Sequence, residues 1–226
     1  GRSTEASGEN SVALGYLTEA DAYVSTAMGY STEALGNYST AMGSNSKATG
    51  SSSTAMGNLS RAQGGASTAM GDYAYATGQA STAMGKNTWA SSNSSTAMGD
   101  DTEALGFSST AMGKNTRATA SISTSMGDNT EANGVASTAM GIHTSAQTLA
   151  QVAIGQYNKD YGTSSNGAGN WVSTDPLFVI GNGSSATTRS DAMVVLKNGN
   201  TGVGVSYPIE KLEVDGNVKA DSLIGD

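Results

Sequence analysis

The sequence predicts an all-β protein in which the first part of the chain forms a parallel β-roll, a solenoid of fourteen-residue coils. Three observations support this prediction. The pentamer STAMG returns every fourteen residues, as in the segment SSTAMGDDTEALGFSSTAMG from Ser94 to Gly113. Glycine recurs at about half that spacing through the same region. Large apolar residues are scarce between the repeated positions, so an ordinary globular core cannot be built there.

One large apolar residue occupies the same position of every repeat, in eleven consecutive registers without an insertion. These residues are Leu14, Met28, Met42, Met56, Met70, Met84, Met98, Met112, Met126, Met140 and Ile154. Each unit also divides into two similar halves, S-x-A-x-G-x-x and T-x-A-x-G-x-x. Ala97 and Gly99 of one half therefore correspond to Ala104 and Gly106 of the other, and the basic step is seven residues, doubled.

A seven-residue step also suits a coiled coil, but the residue types do not. A coiled coil needs large apolar residues and good helix formers, whereas the recurring residues here are Ser or Thr, Ala and Gly. Hexapeptide β-helices have another period, and Ca²⁺-binding nonapeptide arrays differ in both period and motif. A β-solenoid remains, with two short strands and two tight turns in each coil. We expect glycine at each turn, where the backbone bends sharply or takes a positive φ.

Strand alternation assigns the two faces of each strand. In S-x-A-x-G the first, third and fifth residues share a side, and we expect these small residues to fill a thin interior. The second and fourth residues then point outward, which places Thr96 and Met98 outside one half and Glu103 and Leu105 outside the other. In the alternative, methionine fills the interior of each roll. That arrangement would leave the recurrent Ala and Gly on the surface for no evident reason.

The outward columns of the two halves differ in character. In the second half the column is variable and mostly polar: Glu5, Glu19, Glu33, Lys47, Arg61, Tyr75, Trp89, Glu103, Arg117, Glu131 and Ser145. In the first half the large apolar residues form a strip on the order of 50 Å long, with coils about 4.8 Å apart. Soluble monomers rarely expose such a strip, and burying it contributes roughly 15–30 kcal/mol gross. The sequence therefore predicts that the strip is a seam between identical chains.

Composition and charge exclude several classes of partner. The formal net charge is −8 and the eleven Lys and Arg residues are scattered, so we expect no nucleic-acid binding. There is no cysteine, which excludes disulfides and thiolate metal sites. No apolar run approaches the roughly 20 residues that a membrane-spanning helix needs, so we expect no direct membrane insertion. The chain begins at Gly1 inside a motif, which suggests that it was cut from a longer protein.

The segments GENSVALGY (Gly8 to Tyr16) and YSTEALGNYSTAMGSNSKATG (Tyr30 to Gly50) resemble the head repeats of the YadA-like trimeric autotransporter adhesins, whose signature is SVAIGxxSxAxG. The resemblance covers residues 1–157. It implies a left-handed roll, a homotrimer with the apolar residues at the trimer axis, and a non-enzymatic head that attaches to extracellular matrix, host cells or other surfaces. It also implies a location on the cell surface, anchored in the outer membrane through a part that lies outside this sequence.

The rest of the chain departs from that family. We divide the sequence into a roll at 1–157, a connector at 158–170 and a β-rich segment at 171–226. The stretch from Trp171 to Leu223 resembles the part that precedes autocleaving chaperone domains in phage tail fibres and related bacterial surface proteins. That resemblance leaves an alternative function open, in which the chain is a receptor-binding or spacer region of a phage or viral tail fibre, located on the virion.

Strands and turns in the β-rich segment can be predicted from its pattern. Residues 177–180 and 191–196 read as strands, and Asn198-Gly199 is typical of a type I′ hairpin turn. Residues 211–214 and 217–220 flank a second candidate turn at Asp215-Gly216. Because small hairpins are rarely stable alone, we expect them to intertwine with the other two chains and clamp the trimer.

No catalytic, cofactor or metal site is predicted. The single histidine, His143, lies in a turn without a cluster of partners, and Asp21 and Asp100-Asp101 are expected to be solvated. A glycan hydrolase would need paired carboxylates in a cleft, which the repeat does not offer. A regular threonine ladder on a flat sheet would suit ice binding, but the neighbouring methionine column favours burial of that face.

Three outward aromatic residues, Tyr73, Tyr75 and Trp89, are the candidate ligand contacts. Exposed aromatic rings supply binding energy at a low cost in conformational entropy. The alternative is that these rings only pack against one another across neighbouring coils.

Overall fold

The computed structural model describes residues 1–162 and 169–222. Every element of regular secondary structure within these ranges is a β-strand. Five-residue strands alternate with two-residue strands through the repeats. The long strands are β1 (Val12–Tyr16), β3 (Thr26–Tyr30), β5 (Thr40–Ser44), β7 (Thr54–Asn58), β9 (Thr68–Asp72), β11 (Thr82–Lys86), β13 (Thr96–Asp100), β15 (Thr110–Lys114), β17 (Thr124–Asp128), β19 (Thr138–Ile142) and β21 (Val152–Gln156). The short strands are β2 (Glu19–Ala20), β4 (Glu33–Ala34), β6 (Lys47–Ala48), β8 (Arg61–Ala62), β10 (Tyr75–Ala76), β12 (Trp89–Ala90), β14 (Glu103–Ala104), β16 (Arg117–Ala118), β18 (Glu131–Ala132) and β20 (Ser145–Ala146).

The strands stack into two parallel sheets, one of long strands and one of short strands. Each strand pairs with its equivalent in the next coil, fourteen residues further along the chain. Met84 pairs with Met98 in the long-strand sheet, and Tyr75 pairs with Trp89 in the short-strand sheet. The predicted parallel solenoid of fourteen-residue coils is confirmed.

Alanine fills the space between the two sheets. Ala27 from a long strand and Ala34 from a short strand have no exposed surface, and Ser25 and Thr32 beside them are equally buried. Met28, by contrast, points outward and is 37% exposed. The alternative with methionine inside each roll is wrong, because the two sheets lie close enough for alanine to fill the gap at protein packing density.

The glycines of the two halves play different roles, which corrects the expectation that all of them face the interior. Gly36 and the glycines of its column in later coils are buried, as expected. Gly29 lies within a long strand at a φ of 128° and is exposed. A Cβ at Gly29 would lie 2.0 Å from the carbonyl oxygen of Gly43 in the next coil, so this position has no room for a side chain.

The left-handed residue of each turn is not glycine, contrary to the prediction. One residue in every seven adopts a φ near that of a left-handed helix, and Val24 (52°) and Ile122 (61°) are among them. A β-branched side chain pays a steric penalty in this conformation. The neighbouring coil holds the turn in place, since the N–H of Ile122 donates to the carbonyl oxygen of Phe107 at 2.8 Å.

Four strands after the roll continue the long-strand sheet. They are β22 (Pro176–Asn182), β23 (Asp191–Leu196), β24 (Thr201–Val203) and β25 (Leu212–Val214). β22 pairs in parallel with β21, β23 and β24 follow in antiparallel order, and β25 runs parallel to β24. The strands predicted at residues 177–180 and 191–196 are therefore confirmed.

The two predicted turns after β23 are both corrected. At Asn198-Gly199 only the glycine has a positive φ, of 84°, and its N–H donates to the carbonyl oxygen of Leu196 at 2.9 Å. This is a three-residue loop with a type I turn and a left-handed glycine, rather than a type I′ turn. The second hairpin, at Asp215-Gly216, is wrong, because residues 217–220 form no strand and β25 pairs with β24 instead. Residues 217–222 are exposed.

Two buried carboxamides close the end of the roll. Asn158 occupies the column that otherwise holds Thr, Ser or Ala, and its Oδ1 accepts the N–H of Ser145 at 2.8 Å while its Nδ2 donates to the Ser145 carbonyl at 2.9 Å. Gln151 occupies the serine column, and its Oε1 accepts the N–H groups of Gln147 and Thr148 at 2.8 and 3.0 Å. The side chain of Asn158 thus hydrogen-bonds the backbone of β20, as the next short strand does for the short strand of every earlier coil.

Candidate functional site

The apolar row, defined as the eleven residues from Leu14 to Ile154 named above, lies on the outer face of the long-strand sheet. Neighbouring members pair directly across adjacent strands, as Met84 does with Met98. Leu14 is 56% exposed and the remaining members are partly exposed in the single chain. The structure therefore brings all eleven predicted residues into one continuous line.

The outer face of the short-strand sheet carries the variable column instead. Its charged members form ion pairs between successive coils. Arg117 contacts Glu103 at 2.9 Å through Nε and Glu131 at 3.4 Å through Nη1, and Lys47 pairs with Glu33. Exposed pairs of this kind contribute at most about 1 kcal/mol each. This face is solvated, as the sequence predicted.

The aromatic candidates lie in the middle of the variable column. The rings of Tyr75 and Trp89 stack with centroids 4.4 Å apart at an interplanar angle of 18°. The guanidinium carbon of Arg61 lies 5.7 Å from the centroid of Tyr75, so three successive coils form one stack. Tyr73 lies on the turn that precedes Tyr75, at a φ of 55°. The rings of Tyr75 and Trp89 pack across coils, and the outer edge of Trp89 stays open to solvent.

An acidic group at the start of the column shows shifted pKa values. The hydroxyl of Ser7 donates to the carboxylate of Asp21 at 2.6 Å and lowers the pKa of Asp21. The hydrogen bond with Asp21, followed by partial burial and by the nearby carboxylates of Glu5 and Glu33, raises the pKa of Glu19. The Ser7 hydroxyl thus favours the charged form of Asp21, whereas the neighbouring carboxylates and partial burial disfavour the charged form of Glu19.

Open grooves, not enclosed cavities, line the short-strand sheet. One groove of about 480 Å³ runs past Glu33, Lys47 and Arg61, and another of about 510 Å³ runs past Glu103 and Arg117. Both are walled by the polar side chains of successive coils. Within residues 1–162 and 169–222, no three acidic or histidine side chains come close enough together to hold a metal ion.

The junction between the roll and the tail brings His143 together with residues that the sequence did not single out. His143 stacks on Tyr157 with ring centroids 4.5 Å apart, and Arg189 Nη1 donates to the backbone carbonyls of His143 and Asn158. Asp191 accepts the backbone N–H of Lys159 at 3.0 Å and the hydroxyl of Tyr161. Burial, and then the hydrogen bond to Asp191, raises the pKa of Tyr161. The histidine is a packing residue of this junction.

A family model described as the YadA head domain repeat (2 copies) matches the chain at residues 1–23, 25–46, 48–74, 76–102, 104–130 and 123–144. These ranges cover more than half of the sequence and follow the coils. The chain belongs to the YadA head-repeat family. It is a head segment of the YadA-like trimeric autotransporter adhesin type, as the sequence resemblance indicated. No curated protein matches the chain.

The matched YadA head repeats end before the tail begins. The last match stops at residue 144, so strands β22 to β25 lie outside the matched ranges. Adhesins of the YadA family are exposed on the cell surface. In the part of the chain that the structure describes, no helix is long and apolar enough to cross a membrane. The family match gives no support to the tail-fibre interpretation.

Proposed function

We propose that this YadA head segment forms a homotrimer along the apolar row and works as a non-enzymatic adhesin head, attaching its cell to extracellular matrix, host cells or other surfaces. The observation that carries the proposal is the apolar row itself. It is a continuous line of large apolar side chains on an outer face, partly exposed in the single chain. The family supplies the number of chains.

The energetics of the roll support assembly through this row. Inside the roll, the buried apolar side chains are alanines, which contribute little hydrophobic free energy each. A methionine or leucine side chain contributes roughly 1.5–3 kcal/mol when it is fully buried. Most of the hydrophobic stabilisation available to the repeats therefore lies on the outer face, where only another molecule can cover it.

The opposite face suits attachment. The variable column differs from coil to coil, and a trimer would present three copies of it along one rod. Weak contacts repeated in this way gain from avidity. Tyr73, Tyr75 and Trp89 supply the aromatic surface within this face, and the open grooves beside the short strands are not shaped like the enclosed site of an enzyme.

The location follows from the family and stays part of the proposal. We place this head outside the cell, held in the outer membrane by a part of the protein that lies beyond this sequence. The partners are two further copies of the chain and a ligand on another surface. The proposal includes no cofactor, no metal and no nucleic acid.

The trimer is tested by replacing Met84 and Met98 with aspartate together. The change would bring three pairs of carboxylates into the interface without partners, so the assembly should dissociate or fail to form. Light scattering on the purified protein should report the mass of three chains for the unchanged protein and a lower mass for the double variant. The matched control is Glu103→Lys on the solvated face, which should keep the trimer mass. An unchanged mass for M84D/M98D would refute the interface.

Attachment is tested with beads that carry the head, on a glycan array and on plates coated with extracellular-matrix proteins. Replacing Tyr73, Tyr75 and Trp89 with serine should lower retention of the beads on the surface that binds the unchanged head. The control replaces Tyr16 and Tyr30, another stacked aromatic pair, with serine. If the two variants were retained equally, Tyr73, Tyr75 and Trp89 would not be ligand contacts. If the unchanged head were retained on no surface, the result would count against attachment.

A further inference from the structure

The apolar row does not end where the repeats end. Ile154, its last member, pairs with Ile180 in β22, and Ile180 pairs with Met193 in β23. Met193 in turn pairs with Val203, and Val203 with Val214. Side chains that pair directly across adjacent strands lie on the same face of a sheet. The line of large apolar residues therefore continues across four more strands, although the fourteen-residue period has stopped and the strands change direction.

A second line runs beside it. Val152 pairs with Phe178, and Phe178 pairs with Val195. Beyond them come Thr201 and then Leu212. In the roll this neighbouring column is mostly threonine, whereas in the tail it is mostly apolar and includes a phenylalanine. The outer face of the sheet thus becomes more apolar in the tail than it is in the repeats.

The inner face of the tail is already covered by its own chain. Val179 and Val194 take the place of Ala153 in the inner column, and both have no exposed surface. Leu196 is buried in the same cluster, and Tyr161 packs against it. A sheet with one solvated face alternates apolar and polar residues, but β22 and β23 are apolar on both faces. The pattern is that of a sheet covered on both sides.

We propose that the tail seam, made of Phe178, Ile180, Met193, Val195, Val203 and Val214, packs against two further copies of this chain. The trimer interface would then extend without a break from the roll into the tail. This inference rests on the proposed trimer. The occupant is another copy of the chain because the seam lies on the same sheet and in the same register as the apolar row. When identical chains pack around a long axis, their interface extends along that axis as far as the face that forms it.

This arrangement replaces the intertwined clamp that the sequence suggested for the tail. The four strands pair with one another and with β21 inside a single chain. The subunits therefore meet by packing sheet faces side by side, and no exchange of strands is required. The tail becomes a second trimer contact, in which the column beside the apolar row is more apolar than in the roll and the fourteen-residue period is absent.

The absence of cysteine allows a direct test of which faces are covered. Three single-cysteine variants start from matched exposure in the single chain: Met140→Cys on the apolar row (38% exposed), Val203→Cys on the tail seam (41%) and Trp89→Cys on the opposite sheet (43%). Each variant of the 226-residue chain is treated with a bulky maleimide, first in native buffer and then in guanidinium chloride. Labelling is followed by the mass shift on a gel, and light scattering records the mass of each native variant.

We expect M140C and V203C to react at least about tenfold more slowly in native buffer than W89C, because a covered thiol reacts only when the interface opens. All three should react at similar rates in guanidinium chloride. Leu212→Cys, at the far edge of the second line, is the substitute if V203C fails to assemble, and it should show the same protection.

Each outcome separates the two proposals. Protection of M140C with rapid labelling of V203C and L212C would overturn the tail seam and leave the trimer of the roll intact. Rapid labelling of all variants would overturn both. Protection of V203C with rapid labelling of M140C would support the tail contact and refute the interface along the apolar row.

Discussion

The two sheets of the roll share one interior and differ most on their outer faces. Inside, both present alanine with a serine or threonine neighbour, and these side chains are fully buried in coil after coil. Outside, the long-strand sheet repeats one large apolar residue, while the short-strand sheet varies from glutamate to arginine to tryptophan. The interior therefore specifies the coil and the outer faces specify its partners. A uniform column suits a partner that is itself repetitive, as is the partner that we propose, another copy of the same chain.

The largest effect that separates the two halves is expected at glycine. Gly99 lies in a long strand at a φ of 132°, and a Cβ there would lie 1.9 Å from the carbonyl oxygen of Gly113. Replacing Gly99 with alanine combines a strained φ with a backbone clash, so we expect a loss of about 3 kcal/mol in the free energy of unfolding. Thermal melting followed by circular dichroism measures it.

The matched control is Gly106→Ala in the other half of the same coil. A Cβ built there also lies 1.9 Å from a carbonyl oxygen, that of Ala120, but the chain already carries alanine at the equivalent positions Ala22 and Ala120. The φ of Gly106 is not positive, so the backbone can adjust, and we expect a loss below about 1 kcal/mol. Equal losses at the two glycines would show that the halves are equivalent.

The second comparison concerns the ends of the two sheets. The long-strand sheet continues into β22, whereas the short-strand sheet ends on the side chain of Asn158. Replacing Asn158 with alanine should leave buried backbone groups of Ser145 without partners and cost about 1–3 kcal/mol. Hydrogen exchange should speed up at the Ser145 amide and stay unchanged in the central coils. Asn217→Ala, at an exposed site, is the control, and equal exchange in both variants would contradict the capping role.

A smaller effect, of opposite sign, is expected at the turns. Ile122 is exposed in the single chain and holds a left-handed conformation that asparagine adopts more readily. Ile122→Asn should therefore raise the free energy of unfolding by about 1 kcal/mol, which thermal melting would record as a higher melting temperature. Asn10, at the equivalent position of the first coil, shows that this turn accepts asparagine at a similar angle, 58°. A lower melting temperature would mean that the isoleucine side chain has a packing partner in the assembly.

The smallest effect is expected on the variable column. Arg117→Ala removes two exposed ion pairs, with Glu103 and Glu131, and should lower the free energy of unfolding by less than about 1 kcal/mol. The difference from the unchanged protein should shrink further at high salt, because salt screens exposed charges. A large and salt-independent loss would show that Arg117 is buried by a neighbour, and the two outer faces would then not differ as described.

The repeat made most of the roll predictable from the sequence. The columns that contain Ala97 and Met98 fix both the fourteen-residue period and the side that each residue faces, since successive side chains of a strand point to opposite sides. The angles at the turns could not be predicted, because the left-handed position is held by bonds from the next coil and not by a residue such as glycine. Val24 at a φ of 52° gives no local signal of its conformation.

The ends and the tail were harder to predict for a different reason. Gln151 and Asn158 break columns of small residues, and this break was the available signal for the cap. In the tail, Asp215-Gly216 is a strong local turn motif, yet β25 pairs in parallel with β24 and residues 217–220 form no strand, so the local motif did not indicate the pairing. The proposed ligand surface around Trp89 has no repeating pattern, so the sequence identifies the aromatic residues and leaves their partner to experiment.

The step of the repeat has a consequence for how such a rod can change its length. Each coil contacts the coil before it and the coil after it, so inserting or deleting fourteen residues would alter reach by about 4.8 Å and leave every other contact in place. An insertion of seven residues would preserve the alanine interior, yet it would move every following methionine to the opposite side. The length of the rod can thus change only in whole coils of fourteen residues.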